Sequence, residues 1–167
     1  MQLSTRGRYA VMAMVDLATQ NGGACECGPV CLAEIAARQQ LSLSYLEQLF
    51  GKLRRAGLVS SARGPGGGYR LARPAASIAI ADIVAAVDEP IRATRCELGS
   101  GGCLGSGTPG AEAERCQTHD LWVELGRQIA LFLEGITLAD VIEERVRNRA
   151  VPLPPAGTPS LAAEEAA

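Results

Sequence analysis

Apolar residues recur at helical spacing from Ser4 to Gln20, where Tyr9, Met12, Ala13 and Leu17 share one side. That period predicts a helix, with Ser4 and Thr5 able to cap it. NGGACECGP interrupts the pattern, and Cys31 to Gln39 then reads as a short amphipathic helix. After a turn, SYLEQLFGKLRRAG places Leu46, Leu49, Phe50 and Leu53 on one stripe. Ser44 and Glu47 match a capping box at its start, and Gly57 suits its C-terminal stop. Beyond Gly57 the period shortens. LVSSAR and YRLAR read as two strands joined by the glycine-rich turn GPGGG. ASIAIADIVAAVDEP predicts a fourth helix, capped near Ser77 and ended before Pro90. A long amphipathic helix comes next over THDLWVELGRQIALFLEGI, with Leu121, Trp122, Leu125, Ile129, Phe132 and Leu133 on its apolar side. TLADVIEERVRNR adds a last helical piece, and the Pro/Ala-rich tail is expected to be disordered.

This order of elements is mainly α. Two helices joined by a short turn and followed by a basic hairpin outline a winged helix-turn-helix. The expected organisation is a DNA-binding domain over 1–73, a connecting helix over 74–95, a cysteine loop over 96–119, a dimerisation helix and final helical piece over 120–148, and a tail over 149–167. The long helix is expected to form the interface of a homodimer, because the acidic half of the chain offers little else to pack against its apolar side.

Charge sharpens the picture. Residues 1–73 carry nine Arg and Lys against four Asp and Glu; residues 74–167 carry seven against fourteen, so balances of +5 and −7 make up the net charge of −2. A basic half on an acidic whole points to a polyanion-binding module joined to something else. With 47% hydrophobic residues and 4% aromatics, the core is expected to be aliphatic. No 18-residue apolar run is present, so no membrane partner is expected. The N-terminus lacks the order of a signal peptide, and a cytoplasmic location is expected.

Double-stranded DNA at promoter operators is the expected partner. Ser42, Ser44, Tyr45, Glu47 and Gln48 lie at the N-terminal end of the candidate recognition helix, within reach of base edges. Gln can pair with adenine and Glu can accept from the cytosine amino group, although Glu47 has a competing role in the capping box. Lys52, Arg54 and Arg55 suit phosphates. In the hairpin turn, Gly66 and Gly67 let backbone amides approach phosphate oxygens, and Arg63 can enter a narrow minor groove. A plain surface hairpin would also need glycine.

The remaining chemistry is concentrated in 24 residues. Cys96-x6-Cys103-x12-Cys116-x2-His119 holds three of the six cysteines and the sole histidine. Three thiols and one imidazole make four ligands, the number that tetrahedral zinc or an iron–sulfur cluster requires. The wide gaps favour a multi-atom cluster over zinc, whose sites usually keep close cysteine pairs. A zinc-stabilised winged helix, a catalytic Cys–His pair and incidental thiols stay open as alternatives. A second group, Cys25, Cys27 and Cys31, sits between the first two helices; it reads as incidental thiols, with Cys31 a candidate for burial, and a second metal site is the alternative.

STRGRYAVMAMVDLA, LSLSYLEQLFGKLRRAGLVSSARGPGGGYRLAR, IADIVAAVDE, ATRC and CQTHDLW together resemble the IscR family of winged-helix regulators over about residues 1–145. The resemblance implies a homodimeric transcription repressor of iron–sulfur cluster assembly genes. It implies one 2Fe–2S cluster per subunit, held by Cys96, Cys103, Cys116 and His119 and delivered by cluster-assembly scaffold proteins. It also implies that Glu47 discriminates two classes of DNA site and that Arg63 enters the minor groove. Two departures stand out. The second cysteine gap is long, with TPGAEAE resembling an insertion, and the Cys25, Cys27, Cys31 group has no counterpart in the pattern. Relatives that sense nitric oxide or control cysteine metabolism leave a redox-responsive regulator as the alternative.

Overall fold

The computed structural model describes residues 5–20, 28–64, 66–87 and 117–147. The first helix, α1 (Thr5–Gln20), runs through the middle of the molecule and buries Ala10, Ala13, Met14, Leu17 and Ala18. Its small residues let α4 and α6 approach closely. The second helix, α2 (Leu32–Gln39), buries Leu32, Ile35 and Ala36, and turns into α3 (Leu43–Arg55) through Gln40 in a left-handed conformation. Leu46, Leu49, Phe50 and Leu53, the stripe predicted from spacing, are all buried.

The end of α3 is a Schellman stop. Gly57 adopts φ +71°, its N–H donates to the Arg54 carbonyl, and the Leu58 N–H donates to that of Leu53. The chain leaves directly into β1 (Val59–Ala62), which pairs antiparallel with β2 (Gly68–Leu71) from Val59 opposite Leu71 to Ala62 opposite Gly68. This hairpin is the predicted wing. Val30, just before α2, forms a bridge with Tyr69: each N–H donates to the other's carbonyl at 2.8 Å. The wing is therefore tied to the start of the helix-turn-helix.

A 3-10 turn (Ala75–Ser77) precedes α4 (Ile80–Ala86). The helix predicted from Ser77 begins three residues later. The reason is tertiary: Ala79 bridges Thr137, and the Ile80 N–H donates to the Ile136 carbonyl, so a neighbouring strand-like segment satisfies the helix start. The Ser77 hydroxyl instead donates to the Pro74 carbonyl. The long helix α5 (His119–Glu134) leads through Gly135 into α6 (Leu138–Ile142). A capping box of Thr137 and Asp140 starts α6, which packs against α1. One hydrophobic cluster contains residues from α1 to α4, the hairpin, Ile136 and Leu138. The expected tail over 149–167 and most of the cysteine loop lie outside the described residues.

Two side-chain ties cross the core's edge. Asp16 on α1, 8% exposed, accepts from Arg38 Nε at 3.0 Å and Arg38 Nη2 at 2.6 Å, and from Gln39 Nε2 at 2.7 Å. This locks α1 to α2. Burial raises the Asp16 pKa, but the hydrogen bonds from Arg38 and Gln39 and the Arg38 charge outweigh it and hold the carboxyl below its ordinary value. The second tie is Arg145 Nε on Asp140 Oδ1 at 3.1 Å.

Candidate functional site

The N-terminal end of α3 is capped by Ser42, whose Oγ accepts from the Tyr45 N–H at 3.2 Å. Ser42 has extended backbone (φ −67°, ψ 133°), the geometry of an N-cap. The capping box predicted for Ser44 and Glu47 does not form. Ser44 is already in the helix, and its hydroxyl lies 3.0 Å from that of Ser42. With Tyr45 at the third helical position, the reciprocal carboxylate is missing. Glu47 and Gln48 are exposed, and their side chains make no hydrogen bond or ion pair with another described residue. Tyr45 is half-buried, its ring edge-on to Tyr9 at 6.1 Å.

The basic residues of α3 have different surroundings. Arg54 and Arg55 are exposed; Arg54 Nη1 donates to Ser61 Oγ on β1 at 3.4 Å, and Arg55 Nε to the Gly51 carbonyl at 3.3 Å. Lys52 is half-buried, and its ammonium donates to the Val87 carbonyl at 3.4 Å. The sequence pattern could not show this acceptor, which lies 35 residues away at the end of α4. In the wing, Arg63 and Gly66 are exposed, and the Gly67 N–H donates to the Gly64 carbonyl at 2.8 Å. Tyr69 packs edge-on to Phe50 at 4.9 Å. Recognition helix and wing are thus joined by the Schellman turn, the Arg54–Ser61 bond and the Phe50–Tyr69 contact.

Of the four predicted cofactor ligands, His119 is described. It is half-buried in the first turn of α5. Next to it, Thr118 Oγ1 accepts from Trp122 Nε1 at 3.3 Å. Cys96, Cys103 and Cys116 lie outside the described residues, as do Cys25 and Cys27. Cys31, a candidate for burial in the sequence, is exposed at the N-cap position of α2 and makes no side-chain cap bond. Among the described residues no cluster of His, Cys, Asp and Glu can by itself hold a metal, and no helix is long and apolar enough to cross a membrane.

On α5, Gly126 is the one buried residue among those described. Leu121 is 61% exposed, Trp122 42% and Phe132 41%, while Leu125, Ile129 and Leu133 are half-buried. Val123 and Leu131, not assigned to the apolar side from spacing, are exposed too.

The capped helix α3, exposed at its N-terminal end, with a glycine-turned basic wing beside it defines the class: a winged helix-turn-helix DNA-binding regulator. A family model described as Rrf2, iron-dependent transcriptional regulator, matches residues 3–144. The chain is 50% identical over 145 residues to the HTH-type transcriptional regulator IscR of Klebsiella pneumoniae (strain 342), covering 87% of this chain and 82% of that protein. It matches IscR of Escherichia coli (strain K12 / DH10B) with the same identity and coverage. Among solved structures, T. potens IscR superposes with a TM-score of 0.66 at 35% identity, over 92% of this chain and 94% of that one. CymR (YrzC), the global cysteine regulator of B. subtilis, superposes with a TM-score of 0.65 at 33% identity, over 86% and 98%. The chain therefore belongs to the Rrf2 family, as a transcriptional regulator of the IscR type and not an enzyme.

Proposed function

We propose that this regulator senses iron–sulfur cluster status through a 2Fe–2S cluster held by Cys96, Cys103, Cys116 and His119, and controls cluster assembly genes as a homodimer. The observation that carries this reading is the donor set: three thiols and the only imidazole of the chain, spaced over 24 residues, with His119 in the first turn of α5. The donors fit the group. Four soft or borderline ligands match its demand, and the positive end of the α5 dipole favours thiolates and an anionic centre beside it. Such a cluster, when bound, supplies a redox-active centre whose presence reports cluster supply.

The chain's own residues do the rest. As a ligand His119 would bring no charge of its own among the thiolates, so the site would be less negative than one of four thiolates and the imidazole bond would be the more labile one. That lability suits a sensor whose cluster is supplied by assembly scaffolds and withdrawn under demand. Ser42, Ser44, Tyr45, Glu47 and Gln48 face base edges, Glu47 with its carboxylate available to accept from a cytosine amino group. Arg54 and Arg55 position the protein on phosphates, Gly66 and Gly67 admit the backbone to a phosphate, and Arg63 enters the minor groove. The exposed apolar side chains of α5 cover each other across a two-fold axis. A groove of about 320 Å³ beside it, lined by Met12, Ile80, Val84 and Leu133, extends this apolar surface. Two recognition helices then reach successive major grooves.

The test is an anaerobic visible absorption and EPR spectrum of fresh protein with iron, sulfide and zinc analysis. Red-brown protein with equal iron and sulfide, lost in His119→Ala and Cys116→Ala, is expected. Protein that stays colourless after anaerobic reconstitution, or that holds zinc, overturns the cluster. Unchanged affinity of Cys96→Ala for a cluster-assembly promoter overturns cluster-gated binding.

A further inference from the structure

We propose that Lys52 is a positioning residue that couples the segment after α4 to the recognition helix, by holding the last carbonyl of α4 from the body of α3. The inference rests on the cluster-sensing reading above and names the link it requires.

Helix α4 has seven residues, too few to persist on intrinsic propensity. Of the carbonyls in its last turn, that of Val84 accepts from the Val87 N–H at 3.3 Å, while a helix end leaves most of its last carbonyls without helical partners. Val87 is its C-cap, with φ −95° and ψ 17°, and its carbonyl accepts from Lys52 Nζ at 3.4 Å. A cation at a helix C-terminus also complements the helix dipole. The Val87 side chain is fully buried in the same cluster as Leu49, Phe50 and Leu53 of α3. Apolar packing and a charge-assisted hydrogen bond thus both join the end of α4 to α3.

The position of that joint in the chain is what gives it consequence. Val87 is followed at once by residues 88–116, and Cys96 stands nine residues further on. On the other side, Lys52 lies one helical turn from Gln48 and just beyond it from Glu47, the exposed residues at the reading end of α3. The two other basic residues near the end of α3 point elsewhere, Arg54 to Ser61 on β1 and Arg55 to Gly51 on its own helix. Anything that re-sets the backbone after Val87 moves an acceptor to which α3 is bonded, and a helix responds as a rigid unit. The coupling is reciprocal, so operator DNA on α3 also biases the segment that carries the cysteines.

The experiment compares wild type with Lys52→Gln, Lys52→Arg and Arg54→Gln. Affinity for a duplex bearing a cluster-assembly promoter is measured with the cluster bound and with it removed, across a range of salt. In Lys52→Gln the ratio of the two affinities falls by roughly threefold or more, the scale on which single residues modulate coupling. Its cluster-free affinity and salt slope stay close to wild type. Lys52→Arg, which keeps a cationic donor, preserves the ratio, and so does Arg54→Gln. Amide exchange in the cluster-free protein gives an independent readout: residues 80–87 exchange faster in Lys52→Gln and not in Arg54→Gln. Equal loss in both states with a salt slope lower by about one makes Lys52 a phosphate contact and overturns the proposal. An unchanged ratio overturns it as well, as does unchanged exchange in α4. A wild type whose affinity ignores the cluster removes the sensing reading and this inference together; a wild-type difference that survives in Lys52→Gln removes the inference alone.

Discussion

Ser42 and Ser44 differ by two positions, and the structure gives them unequal work. Ser42 satisfies an otherwise unpaired amide at the start of α3, so Ser42→Ala is expected to cost about 1 kcal/mol of stability in chemical denaturation. Ser44→Ala, one hydroxyl inside the helix, is expected to cost a few tenths. Because Glu47 has no part in the cap, Glu47→Ala is expected to leave the denaturation midpoint within about 0.5 kcal/mol of wild type while relaxing sequence choice, read by competition binding with variant operators. Asp16 makes a different kind of prediction. Its pKa in the folded protein is lowered by Arg38 and Gln39 against the opposing effect of burial. The stability it contributes is therefore complete above the unfolded carboxylate value of about 4 and is lost as pH falls through the lower folded value. Asp16→Asn is expected to cost about 1–2 kcal/mol near neutral pH, since Arg38 keeps a third of its surface in water and is not stranded. That gap narrows on acidification below about pH 4, measured as denaturant midpoints across pH.

Among the elements, the wing carries the clearest steric demand. A Cβ on Gly68 would stand 2.3 Å from the Val30 carbonyl oxygen and 3.0 Å from the Cys31 nitrogen, both backbone atoms. Side-chain movement cannot relieve that contact. Gly68→Ala is expected to break the Val30–Tyr69 bridge, cost about 1–3 kcal/mol, and weaken DNA binding through the displaced wing. Amide exchange at Val30 and Tyr69, alongside binding, checks whether the loss runs through the bridge. Helix α5 is the contrasting case. Its apolar side was legible from spacing, but which of those residues stay exposed was not, because the period of a helix says which positions share a side and not what lies opposite them.

At the scale of the whole molecule, the long helix leaves more apolar surface uncovered than a monomer's interior can use. If α5 forms the interface of the proposed homodimer, replacing Leu121 and Phe132 together by Asp is expected to give a monomer by sedimentation and to lower operator affinity by orders of magnitude, since one half-site contact then replaces two. A dimer that persists in this variant places the interface elsewhere. The helix-turn-helix shares its core with the C-terminal half of the chain: Ile136 and Leu138, after α5, are buried in the same cluster as α1 and α3. Changes in the C-terminal half therefore have a physical route to the DNA-binding face.

The amino-acid sequence by itself determined the helices with a strong 3.6-residue period, the change of period at Gly57, the hairpin and its glycine turn, and the spacing of three thiols and one imidazole from Cys96 to His119 that the proposed function uses. Each is a local pattern, set by side-chain spacing, by a positive φ or by ligand chemistry. It also carried the resemblance that the family match bears out. What only the tertiary structure decided are the events that need two distant segments at once. Ser42 displaced the predicted capping box. Helix α4 started at Ile80 because Ile136 supplied its first acceptor, and Val30 joined the wing through Tyr69. Lys52 found its carbonyl on Val87. Each of these is a hydrogen bond between groups whose sequence separation hides their proximity, or a choice between two serines that propensity ranks alike, and packing of the shared core is what selects it.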